Sequence, residues 1–354
     1  MNLIVLDHEF SAVSVIDTYE SLIWTDRYFE CGDFELYTTM TESILQKIKI
    51  GYYLVNSESE HVMVVEKIQI NYDSEDGNHV TISGRSLESI LDRRIVWGLQ
   101  ILNGNLQDVI HDLLNASFIN PSKTSRKVSN FTFKETDDPN ILGITISAQY
   151  TGENIYDAIK ALCTECGVGF RLLLTDSGDL EFGLYSGVDR SYDQSENSFV
   201  VFSPTFDNLL NSNYIESIEQ FKNVALVAGE GEGATRKYAA VGDVTGLDRK
   251  ELFVDARDVS STSSEDETLS DADYQIQLQQ RGKEKLSETT LVTSFEGEGE
   301  TTRIFVYGRD FSKGDIVQVA NEYGHESKAR VLEVVMSEDE NGFSVYPTFG
   351  TLTE

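Results

Sequence analysis

Several residue patterns in the chain have the types that could do chemistry. Gly229-x-Gly231-x-x-Ala234 follows the dinucleotide fingerprint. Such a loop works when backbone N–H groups close on a pyrophosphate seated at a helix N-terminus. Here Glu230 and Glu232 would face the phosphates with like charge. The sequence that follows, TRKYAAVGDVTGLDRKELFV, has no apolar repeat at helical spacing. The stretch therefore reads as a strand, NVALVA, ending in a flexible bend. Cys163-x-x-Cys166 has redox or half-zinc spacing, but it falls inside a helix with no second CxxC and no nearby His pair. Packing of small thiols is the expectation. LLLTDSGD (172–179) carries the apolar-Asp-Ser-Gly element of aspartic proteases, which need two facing carboxylates. One copy is present, and only a homodimer would supply a second; a turn between two strands is expected. His8, His61, His79, His111 and His325 follow no metal-ligand spacing. The acidic, serine-rich loop 255–273 lacks the alternating Asp-x-Asp-x-Asp-Gly of a calcium loop and reads as solvated. No GxSxG or P-loop occurs. The expectation is no catalytic, cofactor-binding or metal-binding residue, no cofactor, and no enzyme.

The elements that would position such groups are mostly strands. Alternation is clear in FELYTT (34–39), YYLVNS (52–57), HVMVVEKIQINY (61–72) and HVTISG (79–84), with the hairpin turn SEDGN (74–78) between the last two. SLESILDRR (86–94) predicts a short helix capped by Ser86. Leu106, Val109, Ile110, Leu113 and Leu114 define one face of a helix over 105–117. A second helix spans 154–167, stopped by Gly167. Segment 120–148 is polar and β-like, and a hairpin follows the second helix, so 99–198 reads as an α+β domain. From 199 the chain is β-like again: SFVVFSP, NVALVAG, TLVTSFEG, TRIFVYG, DIVQVAN, KARVLEVVMS and FSVYPTFG. A helix over about 271–287, with Ser270 as cap, has a thin apolar face and is expected on a surface.

Lys+Arg is 28 against Asp+Glu 60, a formal net charge of −32. That surface repels nucleic-acid backbone and anionic headgroups, so specific DNA binding is not expected. Three cysteines, Cys31, Cys163 and Cys166, give no disulfide framework. MNLIVLDHEF is no secretory signal, and no run reaches the roughly 18 apolar residues of a membrane span.

Two distant segments share a layout, 48–84 and 311–350. Each has a glycine opening a strand (Gly51, Gly314), then a polar turn and a longer strand. Each continues through an acidic turn ending in glycine (Gly77, Gly342) to a last strand closing on glycine (Gly84, Gly350). The spacings are 26 and 28 residues, then 7 and 8. Any two β-meanders look somewhat alike; the alternative is one chain carrying two similar small barrels, which lets a trimer present six similar units to a six-fold partner.

IDTYESLIWTDRYFECGDFELYT (16–38), VTISGRSLESILDRRIV (80–96) and IKALCTECGVGFRLLL with LEFGLYSGVDRS (159–191) begin a pattern that, along essentially the whole chain, resembles the tail-hub (baseplate-hub) proteins of long-tailed siphoviruses. Its most specific stretch is VVFSPTFDNLLNSNYIESIEQFKNVALVAGEGEGATR with GLDRKELFVDARDV (200–259). It continues through QRGKEKLSE and DFSKGDIVQVANEYGHESKARVLEVV. No single piece is a chemical motif; their order carries the match. The resemblance implies a β-rich α+β chain: a first β-barrel hub domain (1–98), an α+β domain (99–198), and a second barrel domain (199–354) with an insertion at about 234–290. It implies a structural homotrimer at the virion tail tip, assembled in the host cytoplasm. Its expected partners are a distal tail ring protein, the tail tube and other tail-tip proteins, and it closes the DNA channel until infection. The GEGEG turn then becomes a bend in the second barrel region, and EGEGETTR (296–303) shows the same kind of bend. One rival is a tail-associated cell-wall hydrolase or peptidase, whose activity would sit in a C-terminal extension. The chain reaches Glu354 four residues after Gly350, which leaves no room for one. The other rival is a receptor- or carbohydrate-binding module built on the 16 tyrosines and 18 phenylalanines, but these sit mostly in strand alternation, which suits core packing.

Overall fold

The computed structural model describes the chain except residues 74–76, 210, 263–267, 299–303, 322, 324–325 and 353–354. The side chains of 73, 211–214, 292–298 and 351 also lie outside the described set. The β-rich α+β class expected from the sequence holds. The first stretch contributes β1 (Leu3–Leu6), β2 (Ala12–Ile16), β3 (Ser21–Arg27), β4 (Asp33–Thr39), α1 (Glu42–Lys47), β5 (Tyr53–Asn56), β6 (Val62–Asp73) and β7 (Gly77–Ser86). Ser86 precedes a 3-10 turn at Leu87–Arg93 and makes no side-chain cap to it.

The middle stretch has β8 (Leu99–Asn105), α2 (Leu106–Leu114), β9 (Phe131–Lys134), α3 (Pro139–Leu142), β10 (Thr145–Thr151), α4 (Ile155–Cys166), β11 (Gly169–Leu174) and β12 (Leu180–Tyr185). Asn105 caps α2 by accepting from Asp108 N–H, and Asn154 caps α4. Gly167 closes α4 in the left-handed region at φ 68°. Apolar faces of both helices join Phe170, Leu172 and Phe182 in one core.

The last stretch has β13 (Val201–Phe202), β14 (Asn211–Ser217), β15 (Val224–Ala228), β16 (Tyr238–Val241), β17 (Glu251–Asp255), α5 (Asp271–Ser287), β18 (Val292–Glu298), β19 (Ile316–Ala320), β20 (Glu326–Asp339) and β21 (Gly342–Thr351). TRIFVYG (302–308) is expected as a strand; 302–303 lie outside the described residues, and 304–308 form none. Among its described residues only Tyr307 bridges, to Phe311, because Gly308 and Arg309 turn the chain within hydrogen-bond reach of Val306 and Phe311. EGEGETTR begins inside β18, so Glu296 and Gly297 are strand residues; 299–303 lie outside the described residues.

Strand pairing makes one 13-stranded sheet, ordered β14-β18-β21-β20-β3-β4-β7-β6-β5-β1-β2, with β19 joined to β20 and β13 to β19. The two modules read from the sequence are thus two halves of one sheet. They share a core in which Trp24, Phe34, Met63 and Ile82 meet Phe202, Val317, Val331 and Phe349.

β15, β16 and β17 form a separate three-stranded sheet covered by α5. The surface position expected for α5 is corrected here. Tyr274, Gln277, Leu278, Arg281, Gly282 and Glu284 are buried, because a second face of the helix packs on β10 through polar groups. Gln149 Nε2 donates to Gln277 Oε1 at 3.1 Å, Arg281 Nη2 to the Gln149 carbonyl at 3.1 Å, and Tyr150 OH to Glu284 Oε1 at 3.0 Å. An apolar-stripe test is blind to such a face. Burial pushes the Glu284 carboxyl up to about 7, further than Arg281 offsets. An acid whose folded pKa is raised stabilises most below its unfolded value of 4.5 and loses that contribution as pH rises through 7. The difference amounts to about 3 kcal/mol. Thermal melting of the wild type should therefore fall between pH 5 and 8, and Glu284→Gln, which keeps the Tyr150 bond but cannot ionise, should fall much less; equal pH slopes would contradict this reading.

Candidate assembly surface

None of the residue patterns with chemical potential assembles into a reactive centre among the described residues. The Gly229 bend ends β15. A side chain at 229 would come within 2.4 Å of Tyr274 OH, so glycine is there to admit α5 rather than a phosphate. Glu230 instead accepts from Ser261 N–H and Oγ at 3.0 and 2.6 Å. Cys163 and Cys166 are free thiols on α4, and burial pushes both upward, away from thiolate character. Asp176-Ser177-Gly178 is the β11–β12 hairpin turn, closed by Thr175 N–H to the Asp179 carbonyl at 2.9 Å. His8, His79 and His111 make ring contacts with Tyr52, Tyr37 and Phe133; His325 lies outside the described residues. No group of three or more His, Cys, Asp or Glu is placed to hold a metal among the described residues. No helix among them is long and apolar enough to cross a membrane.

What the sequence does build, twice, is a five-strand unit. The first runs β3-β4-β7-β6-β5 and the second β14-β18-β21-β20-β19, all antiparallel. The strand order along the chain is the same in both; β15 to α5 is inserted between the first two strands of the second unit. Gly51 N–H donates to the Val65 carbonyl at 2.8 Å and Gly314 N–H to the Val331 carbonyl at 2.7 Å. Val65 and Val331 return the bond to Tyr52 and Asp315 at 2.8 and 2.9 Å. Both glycines sit in the left-handed region, at φ 81° and 90°, where other residues are strained. In each unit the ladder then skips one residue: Glu66 is bulged between Val65 and Lys67, and Leu332 between Val331 and Glu333. The hairpins end alike, Asp73 opposite Gly77 and Asp339 opposite Gly342. One correspondence shifts. Gly84 faces Val65, and it is Phe349, not Gly350, that faces Val331. The extra residue in the second glycine spacing is therefore a change of residue type at one rung and not a longer strand.

The halves are welded by β3 on β20, six rungs from Arg27↔Glu333 to Leu22↔Glu338. Tyr28 follows directly. Its N–H donates to the Leu332 carbonyl at 2.9 Å, and its fully buried ring lies against Gly314, Gly169 and Tyr185. Nearby, a buried charged cluster ties three parts of the chain. Lys313 meets His61 Nε2, and His61 Nδ1 lies 3.1 Å from Glu88 Oε1. Glu88 also accepts from Leu172 N–H at 2.9 Å, and Glu60 bridges Arg171 and Lys313 at 3.0 and 3.4 Å. Burial works to raise the Glu88 carboxyl, but His61, Ser86 and the Leu172 N–H together hold it down to about 2.

The chain matches the family described as Siphovirus ReqiPepy6 Gp37-like protein over residues 2–351. It belongs to that family. Three solved structures share the fold of this tail protein. The tail protein from Neisseria meningitidis MC58 is 14% identical, with 99% of this chain and 96% of that one covered at a TM-score of 0.58. Prophage tail protein gp18 from Listeria monocytogenes EGD-e is 13% identical, covering 100% and 95% at 0.57. The 43 kDa tail protein of prophage MuSo2 from Shewanella oneidensis is 15% identical, covering 99% and 98% at 0.56. Among curated proteins nothing matches. The expected resemblance to siphovirus tail proteins is thereby borne out, and a structural role in the tail follows from it.

In the tail protein Glu88 carries the weld's electrostatics. Its depressed pKa means its stabilisation is full above 4.5 and lost as pH falls through 2. Glu88→Gln should cost about 3 kcal/mol in urea unfolding at pH 7. The gap from wild type should shrink below pH 4.5 and close near pH 2; a gap independent of pH would refute the assignment.

Proposed function

We propose that this protein is a non-enzymatic tail-tip hub: three copies form a ring that joins the tail tube or distal tail ring to the tail tip and closes the DNA channel until infection. The observation that carries this reading is the five-strand unit built twice in one chain, with matching glycines, bulges and hairpin ends. Three chains then present six equivalent units, which suits docking on a six-fold ring. In this reading residues 1–98 and 199–354 are the two hub domains, barrel-like once closed in the ring. Residues 99–198 form the α+β domain between them. The insertion, set at about 234–290 from the sequence, takes in β15 from Val224 because β15 is the centre of the inserted sheet.

The net charge of −32 per chain supports a conduit role, because like charge keeps phosphate from adhering to a wall. The partners are two further copies, a distal tail ring protein, the tail tube and other tail-tip proteins, with no specific nucleic-acid site. The place of action is the virion tail tip, after assembly in the host cytoplasm. Light scattering of the purified protein, alone and mixed with its distal tail ring protein, should give a species of three times 39.7 kDa, and negative-stain images a six-lobed ring. A monomer under both conditions would overturn the proposal.

A further inference from the structure

Away from the large sheet, the α+β stretch holds a pocket whose charge runs against that of the chain. It lies where α2 ends. Asn115–Ile119 continue α2 as a single π-type turn, closed by Asn120 N–H on the Asn115 carbonyl at 2.8 Å and by Asn120 Nδ2 on Asn115 Oδ1 at 3.0 Å. Such widened turns break the regular helical ladder and are frequent at functional sites. The turn, the loop 120–126 and the stretch 96–100 enclose a cavity of about 310 Å³. That is the lower end of the range for small-molecule sites, room for one sugar-sized unit. The wall supplies amides from Gln100, Asn115 and Asn120 and hydroxyls from Ser117 and Ser122. The chain has 60 Asp and Glu residues, yet none lines this cavity.

The cations at the pocket lack counter-ions. Elsewhere Arg27, Arg85, Arg171, Arg190, Arg236 and Arg281 each meet a carboxylate. Arg126 lines the cavity and is only 8% exposed, yet it forms no ion pair among the described residues, and neither do Lys123 and Arg94. Aromatic rings hold them instead. Arg126 lies 4.5 Å and Lys123 5.3 Å from the centre of the Trp97 ring, and Arg94 lies 5.5 Å from that of Phe118. A ring face attracts a cation but does not cancel its charge. Arg126 Nη2 also donates to the Ile95 carbonyl at 2.7 Å, which fixes the guanidinium without neutralising it. Arg94 Nε is buried and makes no hydrogen bond. Burial and the like charge of Arg94 both pull the Arg126 pKa down, although a guanidinium stays charged at any ordinary pH. A buried cation without a counter-ion is costly, and a bound anion relieves that cost.

We propose that this cavity binds a phosphorylated sugar or polyol, its phosphate on Arg126 and Lys123 and its hydroxyls on the amide and serine groups of the wall. A phosphate presents oxygens on several sides, so it takes the guanidinium fork and the ammonium at once. The neutral donors and acceptors of the wall match hydroxyl groups rather than further charge. A nucleotide fits less well, because the Trp97 ring on which its base would stack already carries two cations. The site lies within one chain and does not depend on how copies assemble.

Trp97 makes the test direct. The chain has two tryptophans: Trp24 is fully buried in the sheet core, and Trp97 is 48% exposed beside the cavity. Tryptophan fluorescence of the full chain should change saturably with glucose 1-phosphate at millimolar concentration or below, and glucose should leave it unchanged. Lys123→Glu, at an exposed position, should weaken binding about tenfold or more with an unchanged far-ultraviolet spectrum. Arg126→Lys, which keeps the charge and loses the fork, should weaken it as well. Poly(glycerol phosphate) binding more tightly per phosphate than glucose 1-phosphate supports the site with a polymer repeat as its source; the reverse order supports it with a free sugar phosphate. Glucuronate or a thymidine oligonucleotide binding as tightly as glucose 1-phosphate overturns the assignment. Inorganic phosphate matching it marks an adventitious ion only and overturns it too, as do the lack of any saturable change and wild-type binding by Lys123→Glu.

Discussion

The β3–β20 ladder is the constraint on which the rest of the architecture depends. Six backbone rungs turn two five-strand units into one sheet, and the core beneath is common to both. Without the ladder, Trp24 and Met336 would each lose the surface that buries them. The closure is reinforced where the chain leaves β3. Tyr28 hydrogen-bonds across to Leu332, and the weld fixes where Lys313, His61 and Glu88 meet. A hydrogen bond nets only about 1 kcal/mol in water. The strength here lies in coupling the rungs to apolar burial and to the buried Lys313, His61 and Glu88.

Much of this was legible in the sequence because it rests on local rules. Gly51 and Gly314 announce strand entries because their backbone conformation disfavours a side chain, and Gly167 ends α4 for the same reason. The amphipathic faces of α2 and α4 follow from spacing alone. Other features were not legible because their cause lies far away in the chain. The α5 helix reads as a surface helix until β10 supplies Gln149 and Tyr150 as hydrogen-bond partners. TRIFVYG has strand composition, yet Gly308 turns it. The rung shared by Gly84 and Phe349 cannot be found by matching glycines, since register is set by the bulge one step away. The β14 segment, NSNYIES, has little apolar alternation to mark it as a strand, and its importance comes only from the strand it resembles in place.

The duplication makes backbone geometry the main content of this chain's architecture. Buried carboxylates such as Glu88 and Glu284 serve packing between its parts. Acidic residues outnumber basic ones by 60 to 28.

The most direct measurement is a cryo-EM map of the assembled tail tip at a resolution that separates strands. The account predicts three copies around one channel, with the two five-strand units of each chain making six equivalent lobes. A ring with another number of copies, or one whose two units per chain sit in unrelated orientations, would contradict it.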